Sequence, residues 1–312
     1  MKITVKVPAT TANIGPGFDC FGIALSMYNK VTIEELVYPD KGLHITMLPG
    51  ENERYSSSLM TIPTDTTNIV YRAVELLYNY VGQTPPDLKI NIETNIPIAK
   101  GLGSSASVIM GGMLAANKLL GNPADEAALL SIANELEGHP DNITPAMLGG
   151  FIFSSAEEDG SIMYKKIEWP EEWKFVVCIP DYELSTQISR SVLPEMVTLN
   201  DAVYNLKRSA MFIEALHTKD ADLLRYALDD RIHQVYRSRL ITGFDKMKDD
   251  LKHLPNILGT VISGAGPSIL VIYEKDSNVE EVKSILTNIW QEIGVKALVK
   301  NVNIDTQGAV II

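Results

Sequence analysis

Pro97-Ile-Ala-Lys-Gly-Leu-Gly-Ser-Ser-Ala-Ser107 joins a strand-like run, residues 88–94, to a long apolar helical pattern, residues 108–120. Two glycines let the backbone approach a bound group closely, and three serines follow at the helix start. The first turn of a helix carries N–H groups without intrahelical partners and a partial positive charge, which suits a phosphate. Hydroxyl side chains there add hydrogen bonds or reach a magnesium ion carried by the phosphate. The expectation is a nucleotide phosphate loop. A Walker A loop ends in Gly-Lys-Ser/Thr, whereas Lys100 precedes both glycines, so that pattern fails. Gly101, Gly103 and Ala106 fit the dinucleotide spacing G-x-G-x-x-A. The acids about 20 residues on, Asp125 and Glu126, open a helical pattern instead of following a second strand, so that fit is a coincidence. A well-capped turn without a ligand stays open on these residues alone.

The chain has 312 residues, enough for two domains of ordinary size. Its 46% hydrophobic and 21% charged residues describe a soluble globular protein. Residues 1–7 alternate like a strand and lack the apolar core of a secretion signal. The longest weakly charged run, residues 101–120, is broken by Lys118 and rich in small residues, so no membrane span is expected. Cys20 and Cys178 lie far apart without metal-type spacing, which predicts a reduced, cytoplasmic protein with buried thiols. A net charge of −12 disfavours an extended nucleic-acid or anionic-membrane surface. It does not bar a small anion, because two or three clustered arginines override the global field locally.

Helix and strand patterns alternate along the chain without repeats or low-complexity linkers, and without strict βαβ order, which argues for α+β layers. Strands are predicted at 3–7, 30–36, 43–48, 88–94, 151–154, 162–167, 174–179, 257–262, 269–273, 295–302 and 309–312. Helices are predicted at 69–81, 108–120, 124–137, 199–217, 220–229, 244–253 and 279–293. Asp65-Thr-Thr-Asn68 offers caps to the first helix and Gly82 its stop. Residues 8–19 read as irregular: too rich in glycine and proline for a regular element, too apolar for a loose surface loop. Trp169-Pro-Glu-Glu172 interrupts the pattern and marks a domain boundary.

Three glycine-rich stretches therefore stand out: Pro8-Ala-Thr-Thr-Ala-Asn-Ile-Gly-Pro-Gly-Phe-Asp19, the serine loop, and Ser263-Gly-Ala-Gly-Pro-Ser268. Together with Gly138-His-Pro-Asp-Asn142 they resemble the motifs of the GHMP kinase superfamily, in order and spacing, and within it the homoserine kinase branch. The resemblance implies a two-domain α+β fold. Residues 1–168 would form a ribosomal S5-like, ATP-binding domain and 169–312 a ferredoxin-like domain, with the active site in the cleft between them. It further implies phosphorylation of the terminal hydroxyl of L-homoserine with ATP and Mg2+, no nucleic-acid or membrane partner, and a homodimer.

Carried onto this chain, the resemblance places the nucleotide against Pro97, Ile98, Ala99, Lys100, Gly101, Leu102, Gly103, Ser104, Ser105, Ala106 and Ser107. Asn68 would stand near the adenine, with a plain helix cap as its alternative role. Ser105 and a glutamate, Glu137 or Glu135, would bind the metal. Homoserine is a zwitterion, so its pocket needs both an acid and a cation. The matching residues are Asn13, Asp19, His139, Asp141, Thr186, Arg190 and Arg237. A guanidinium pair grips a carboxylate with fork geometry. Mevalonate has no ammonium, so Asp19 and Asp141 would have little to bind in a mevalonate kinase. Where relatives place an aspartate base this chain has Asn142, which cannot take a proton. The expected mechanism is therefore direct attack by the substrate hydroxyl, positioned by Asn142 and helped by Arg190, with Asp141 as the alternative base.

Overall fold

The computed structural model describes residues 1–37, 40–50 and 61–312. Strand β1 (Lys2–Asn13) and strand β2 (Gly17–Glu35) form a long antiparallel hairpin, paired from Lys2↔Glu34 to Asn13↔Gly17. Val5, Val7, Val31 and Ile33 point inward with the two-residue period of a half-buried sheet, and all four are fully buried. The hairpin corrects one sequence expectation, because residues 8–13 continue β1 instead of leaving it. Pro8 is tolerated where the register shifts between Pro8 and Ala9, and a second shift separates Ala12 from Asn13. Asn13, Ile14 and Asp19 then take φ values of 71°, 45° and 55°, a region most side chains avoid. Such backbone persists only where its surroundings over-determine it, and it clusters at functional sites.

Strands β3 (Leu43–Pro49), β4 (Leu88–Thr94), β5 (Phe151–Ala156) and β6 (Ile162–Ile167) extend this sheet. Helices α1 (Ile69–Tyr80), α2 (Ser104–Leu119), α3 (Glu126–Glu137) and α4 (Pro140–Leu148) pack on it. Val70, Val74, Leu77, Ile109, Met110 and Met113 meet the sheet residues in one core. Helix α4 is absent from the sequence reading because two prolines argue against it. Pro140 stands at the helix start, where its missing N–H is harmless. Pro145 leaves the Asp141 carbonyl without its helical partner, and that carbonyl lies against Gly22, where a Cβ would approach it to 1.9 Å.

The second sheet is antiparallel, formed by β7 (Trp173–Pro180), β8 (Ile257–Ile262), β9 (Ile269–Glu274) and β10 (Ala297–Val302) in the order β10-β7-β9-β8. Its helices are α5 (Thr186–Ser191), α6 (Leu199–Thr218), α7 (Ala221–Ala227), α8 (Gln234–Arg237), α9 (Phe244–Leu251) and α10 (Val279–Glu292). The sequence reading lacks α5 and α8, both shorter than two turns. Phe21, Phe151, Trp169, Phe175 and Phe212 form an aromatic cluster that joins the two halves, with the Phe21 and Phe212 rings 5.0 Å apart. The chain leaves the first sheet between β6 and β7, near residue 169, but it also returns. The last strand, β11 (Val310–Ile311), pairs with β1 through Val5↔Ile311 and Lys6↔Val310.

Candidate active site

The three glycine-rich stretches hold one another. The Thr10 N–H donates to the Leu102 carbonyl at 3.1 Å and the Gly264 N–H to the Ala12 carbonyl at 3.1 Å. The Ser263 hydroxyl donates to the Gly101 carbonyl at 2.6 Å. Glycine is required at two points of this contact. Gly101 has φ 70°, and a Cβ there would lie 2.1 Å from the Ser263 carbonyl oxygen. Gly103 has φ 62°, and its Cβ would lie 1.8 Å from Thr10 Oγ1.

Between these stretches lies a cavity of about 300 Å³. One end is apolar, lined by Met47, Ile62, Ile69, Ile92 and Val108; the other is charged, lined by Asp19, Glu137, His139, Asp141, Arg190 and Arg237. Asn13, Asn142 and Thr186 also line it, and residues 97–105 run between the two ends. Every site residue expected from the sequence is brought here except Ala106, Ser107 and Glu135. Ser107 is fully buried and its groups are engaged: its hydroxyl donates to the Ser104 carbonyl and accepts from Asn29, and its N–H bonds the Gly103 carbonyl. It anchors the loop from behind. Glu135 is exposed, two residues and therefore about 200° around the helix from Glu137. Lys100 also departs from the expected picture, since its ammonium is bonded to the Tyr182 carbonyl at 2.5 Å.

At the apolar end, Asn68 acts as the cap of α1. Its Oδ1 accepts from the Val70 N–H at 2.9 Å and its Nδ2 donates to the Pro63 carbonyl at 2.6 Å. One N–H of its amide is left over for a ligand. At the start of α2, Ser104 donates to the Ile96 carbonyl at 3.2 Å, while Ser105 is exposed to the cavity. The Ser105 hydroxyl and the Glu137 carboxylate line the cavity together. Burial pushes the Glu137 pKa up, against the pull of His139 and Ser105, while Asp141 reinforces the rise. A hydroxyl and a carboxylate are hard oxygen donors, a set that fits magnesium with the rest of its shell drawn from phosphate and water. Among the described residues no group of three or more His, Cys, Asp or Glu is arranged to hold a metal alone.

At the charged end, Arg190 grips Asp19 with both nitrogens, at 2.7 and 3.1 Å. Asn13 supports Asp19 by accepting its N–H at 3.0 Å and is itself tied to the Gly264 carbonyl at 2.8 Å. Asp141, 2% exposed, accepts from His139 Nδ1 at 3.1 Å and from Asn142 Nδ2 at 3.2 Å. Burial works against the His139 imidazolium, yet the hydrogen bond and charge of Asp141, with Glu137, hold its pKa above the usual value. Asn142 Oδ1 accepts the Thr10 hydroxyl at 2.7 Å, so the orientation of its amide is set from both sides. Arg237 is 1% exposed and bonds the Gly264 carbonyl at 3.1 Å. Burial and then Arg190 bring its pKa down to about 10, which leaves it charged at neutral pH.

Two residues that the sequence does not single out for the site complete this end: Phe18 stands unremarked inside the first motif, and His233 reads as a structural histidine. Phe18 lies under both guanidiniums, 5.4 Å from Arg190 and 5.1 Å from Arg237, and stacks on His233 at 5.3 Å. His233 is fully buried with its Nε2 2.7 Å from the Gly15 carbonyl. A carbonyl only accepts, so Nε2 carries the proton and Nδ1 faces Arg237 at 3.5 Å. Burial lowers the His233 pKa, which keeps the ring neutral beside that guanidinium. The i,i+4 spacing of His233 and Arg237 was the available sequence signal.

Comparison with known proteins places this geometry. The family described as GHMP kinases N terminal domain matches residues 68–150, and the GHMP kinases C terminal family matches residues 212–292. A homoserine kinase of Crocosphaera subtropica is 40% identical over 307 residues, covering 98% of this chain and 96% of that protein. One of Caldicellulosiruptor saccharolyticus is 43% identical over 289 residues, covering 92% and 90%. The crystal structure of homoserine kinase from Cytophaga hutchinsonii superposes with a TM-score of 0.87 at 28% identity, covering 100% of this chain and 97% of that one.

Proposed function

This chain belongs to the GHMP kinase family, and on that premise we propose that it is a homoserine kinase, transferring the γ-phosphoryl of ATP to the terminal hydroxyl of L-homoserine. The product, O-phospho-L-homoserine, belongs to threonine biosynthesis. The observation that carries the reading is one cavity with a serine-lined helix start between an apolar slot and a pocket of opposite charges. The adenine occupies the apolar slot beside Asn68. The N–H groups of residues 101–105 face the phosphates across the start of α2. Ser105 and Glu137 hold Mg2+, which when bound neutralises charge on the phosphates.

The amino acid takes the charged end. Its carboxylate meets Arg190 and Arg237, its ammonium meets Asp19 and Asp141, and Asn13, Thr186 and His139 fill the remaining contacts. Its hydroxyl then forms the new O–P bond as the bond to the departing ADP oxygen breaks. Asn142, held by Thr10 and Asp141, directs a free amide N–H to that hydroxyl and fixes its line of approach. The hydroxyl proton passes to a phosphate oxygen or to solvent, and Arg190 offsets charge on the transferring group. No side-chain base is needed, because alignment and charge carry most of phosphoryl transfer.

The same proposal keeps a boundary near residue 169, with β11 assigned to the first half. It also includes a homodimer, which rests on the family resemblance, and a cytoplasmic location, which rests on the strand-like N-terminus and the two scattered cysteines. Among the described residues no helix is long and apolar enough to cross a membrane. The test is ADP release with L-homoserine against mevalonate. L-Homoserine should be favoured by about a hundredfold or more in kcat/KM, because mevalonate brings no ammonium to Asp19 and Asp141. Preference for mevalonate, or no Mg2+-dependent turnover, would refute the assignment.

A further inference from the structure

We infer that Lys100, although it stands in the phosphate loop, is a positioning residue for the acceptor side: it holds α5 where Thr186 and Arg190 can meet the amino acid. The inference rests on the homoserine kinase reading. Helix α5 is six residues long and shallow. Ser189 is its buried residue, while Thr186, Gln187, Ile188 and Ser191 are exposed. In its lead-in, Leu184 and the half-buried Tyr182 pack against the core of the second sheet, Tyr182 with its ring 6.0 Å from that of Trp290. The helix itself buries no apolar side chain, so its own placement depends on hydrogen bonds.

Those bonds come from two sides. The Leu184 N–H donates to the Ala99 carbonyl at 3.1 Å, and the Lys100 ammonium donates to the Tyr182 carbonyl at 2.5 Å. Opposite, the Ser189 hydroxyl donates to the Ala265 carbonyl at 2.7 Å, and Arg237 Nε donates to the Ser189 carbonyl at 3.3 Å. Arg190 adds its bond to Asp19, a contact the amino acid itself would rearrange. Lys100 is 3% exposed. Burial depresses its pKa, while Glu183 and Asp181 from the same lead-in favour its charged form. A lysine so enclosed serves the segment around it.

Residues 101–105 face the nucleotide, while their neighbours 99 and 100 hold the lead-in of α5, so the loop serves the two substrates through different residues.

The experiment measures KM for L-homoserine and for ATP at saturating Mg2+, in the wild type and in Lys100→Met. The variant should raise the L-homoserine KM by about tenfold or more, since a buried charged hydrogen bond is lost, and leave the ATP KM within about twofold. A raised ATP KM with unchanged L-homoserine KM would show a phosphate contact and overturn the inference. So would equal rises in both, or no change in either. Should Lys100→Met not fold, Lys100→Gln, which keeps a polar end, is measured the same way and judged by the same outcomes. A wild type inactive on L-homoserine overturns the kinase reading instead, and the inference with it.

Discussion

Gly103→Ala adds one methyl group where three sequence motifs meet, and the structure sets its cost. The residue has φ 62°, which costs an alanine about 1–2 kcal/mol that glycine does not incur. The new Cβ would lie 1.8 Å from Thr10 Oγ1 and 3.0 Å from Asn142 Oδ1, so the Thr10 side chain must rotate away. Its 2.7 Å hydrogen bond to Asn142 is then lost, at about 1 kcal/mol more. The sum, roughly 2–3 kcal/mol, leaves a typical domain folded but less stable. Catalysis should suffer more than stability. Asn142 loses the partner that orients it, and a misplacement of about 1 Å costs about 100-fold in rate. Gly82→Ala is the control: φ is 70°, but nothing lies within 4 Å of the added Cβ. Thermal melting and ADP-release kinetics on both variants make the assay. The account predicts that Gly82→Ala loses about 1–2 kcal/mol of stability and no kcat, while Gly103→Ala loses about 100-fold in kcat. A Gly103→Ala enzyme with kcat within about twofold of wild type would refute the described contact of Thr10, Gly103 and Asn142.

Other perturbations have signs fixed by the same geometry. The Glu137 pKa is raised in the folded protein, so its contribution to stability is fully present below the unfolded pKa and is lost as pH rises through the folded one. Glu137→Gln should therefore raise Tm at pH 8, change it little at pH 4, and cut Mg2+-dependent turnover by about 100-fold or more; unchanged melting at pH 8 would contradict the burial argument. In the wild type, protons compete with Mg2+ for that carboxylate, so apparent Mg2+ affinity should begin to fall at a higher pH than an ordinary glutamate gives. Asp141→Asn should raise the L-homoserine KM about tenfold or more while kcat stays within about tenfold. Lost turnover with unchanged affinity would instead make Asp141 the base. Asp19→Asn should weaken L-homoserine by about tenfold or more yet spare 4-hydroxybutyrate, which lacks the ammonium; equal losses for both would place Asp19 elsewhere.

Much of the site is legible in the sequence because its chemistry is local. A phosphate loop needs glycines, hydroxyls and a helix start in one short run, and residues 97–105 hold all three. Helix α1 is legible through the Asn68 cap and its apolar stripe. What escapes depends on contacts distant in sequence. Residues 8–13 look irregular alone and become strand because β2 supplies a bulged partner. Helix α4 survives Pro145 because the freed Asp141 carbonyl finds room against Gly22. Glu135 and Glu137 separate only once α3 has a fixed rotation toward the cavity. Lys100 reads as a phosphate ligand in one dimension and contacts Tyr182 in three. The pairing of Phe18 with His233 and two arginines joins residues on opposite sides of the domain junction.

A crystal structure with L-homoserine and a non-hydrolysable ATP analogue bound together bears most directly on the shared cavity. The account predicts a triphosphate across the N–H groups of residues 101–105, a carboxylate on Arg190 and Arg237, and an ammonium at Asp19 or Asp141. The amino acid's hydroxyl should then point at the γ-phosphorus from beside Asn142. An amino acid bound outside that cavity, or with its carboxylate turned away from both arginines, would contradict it.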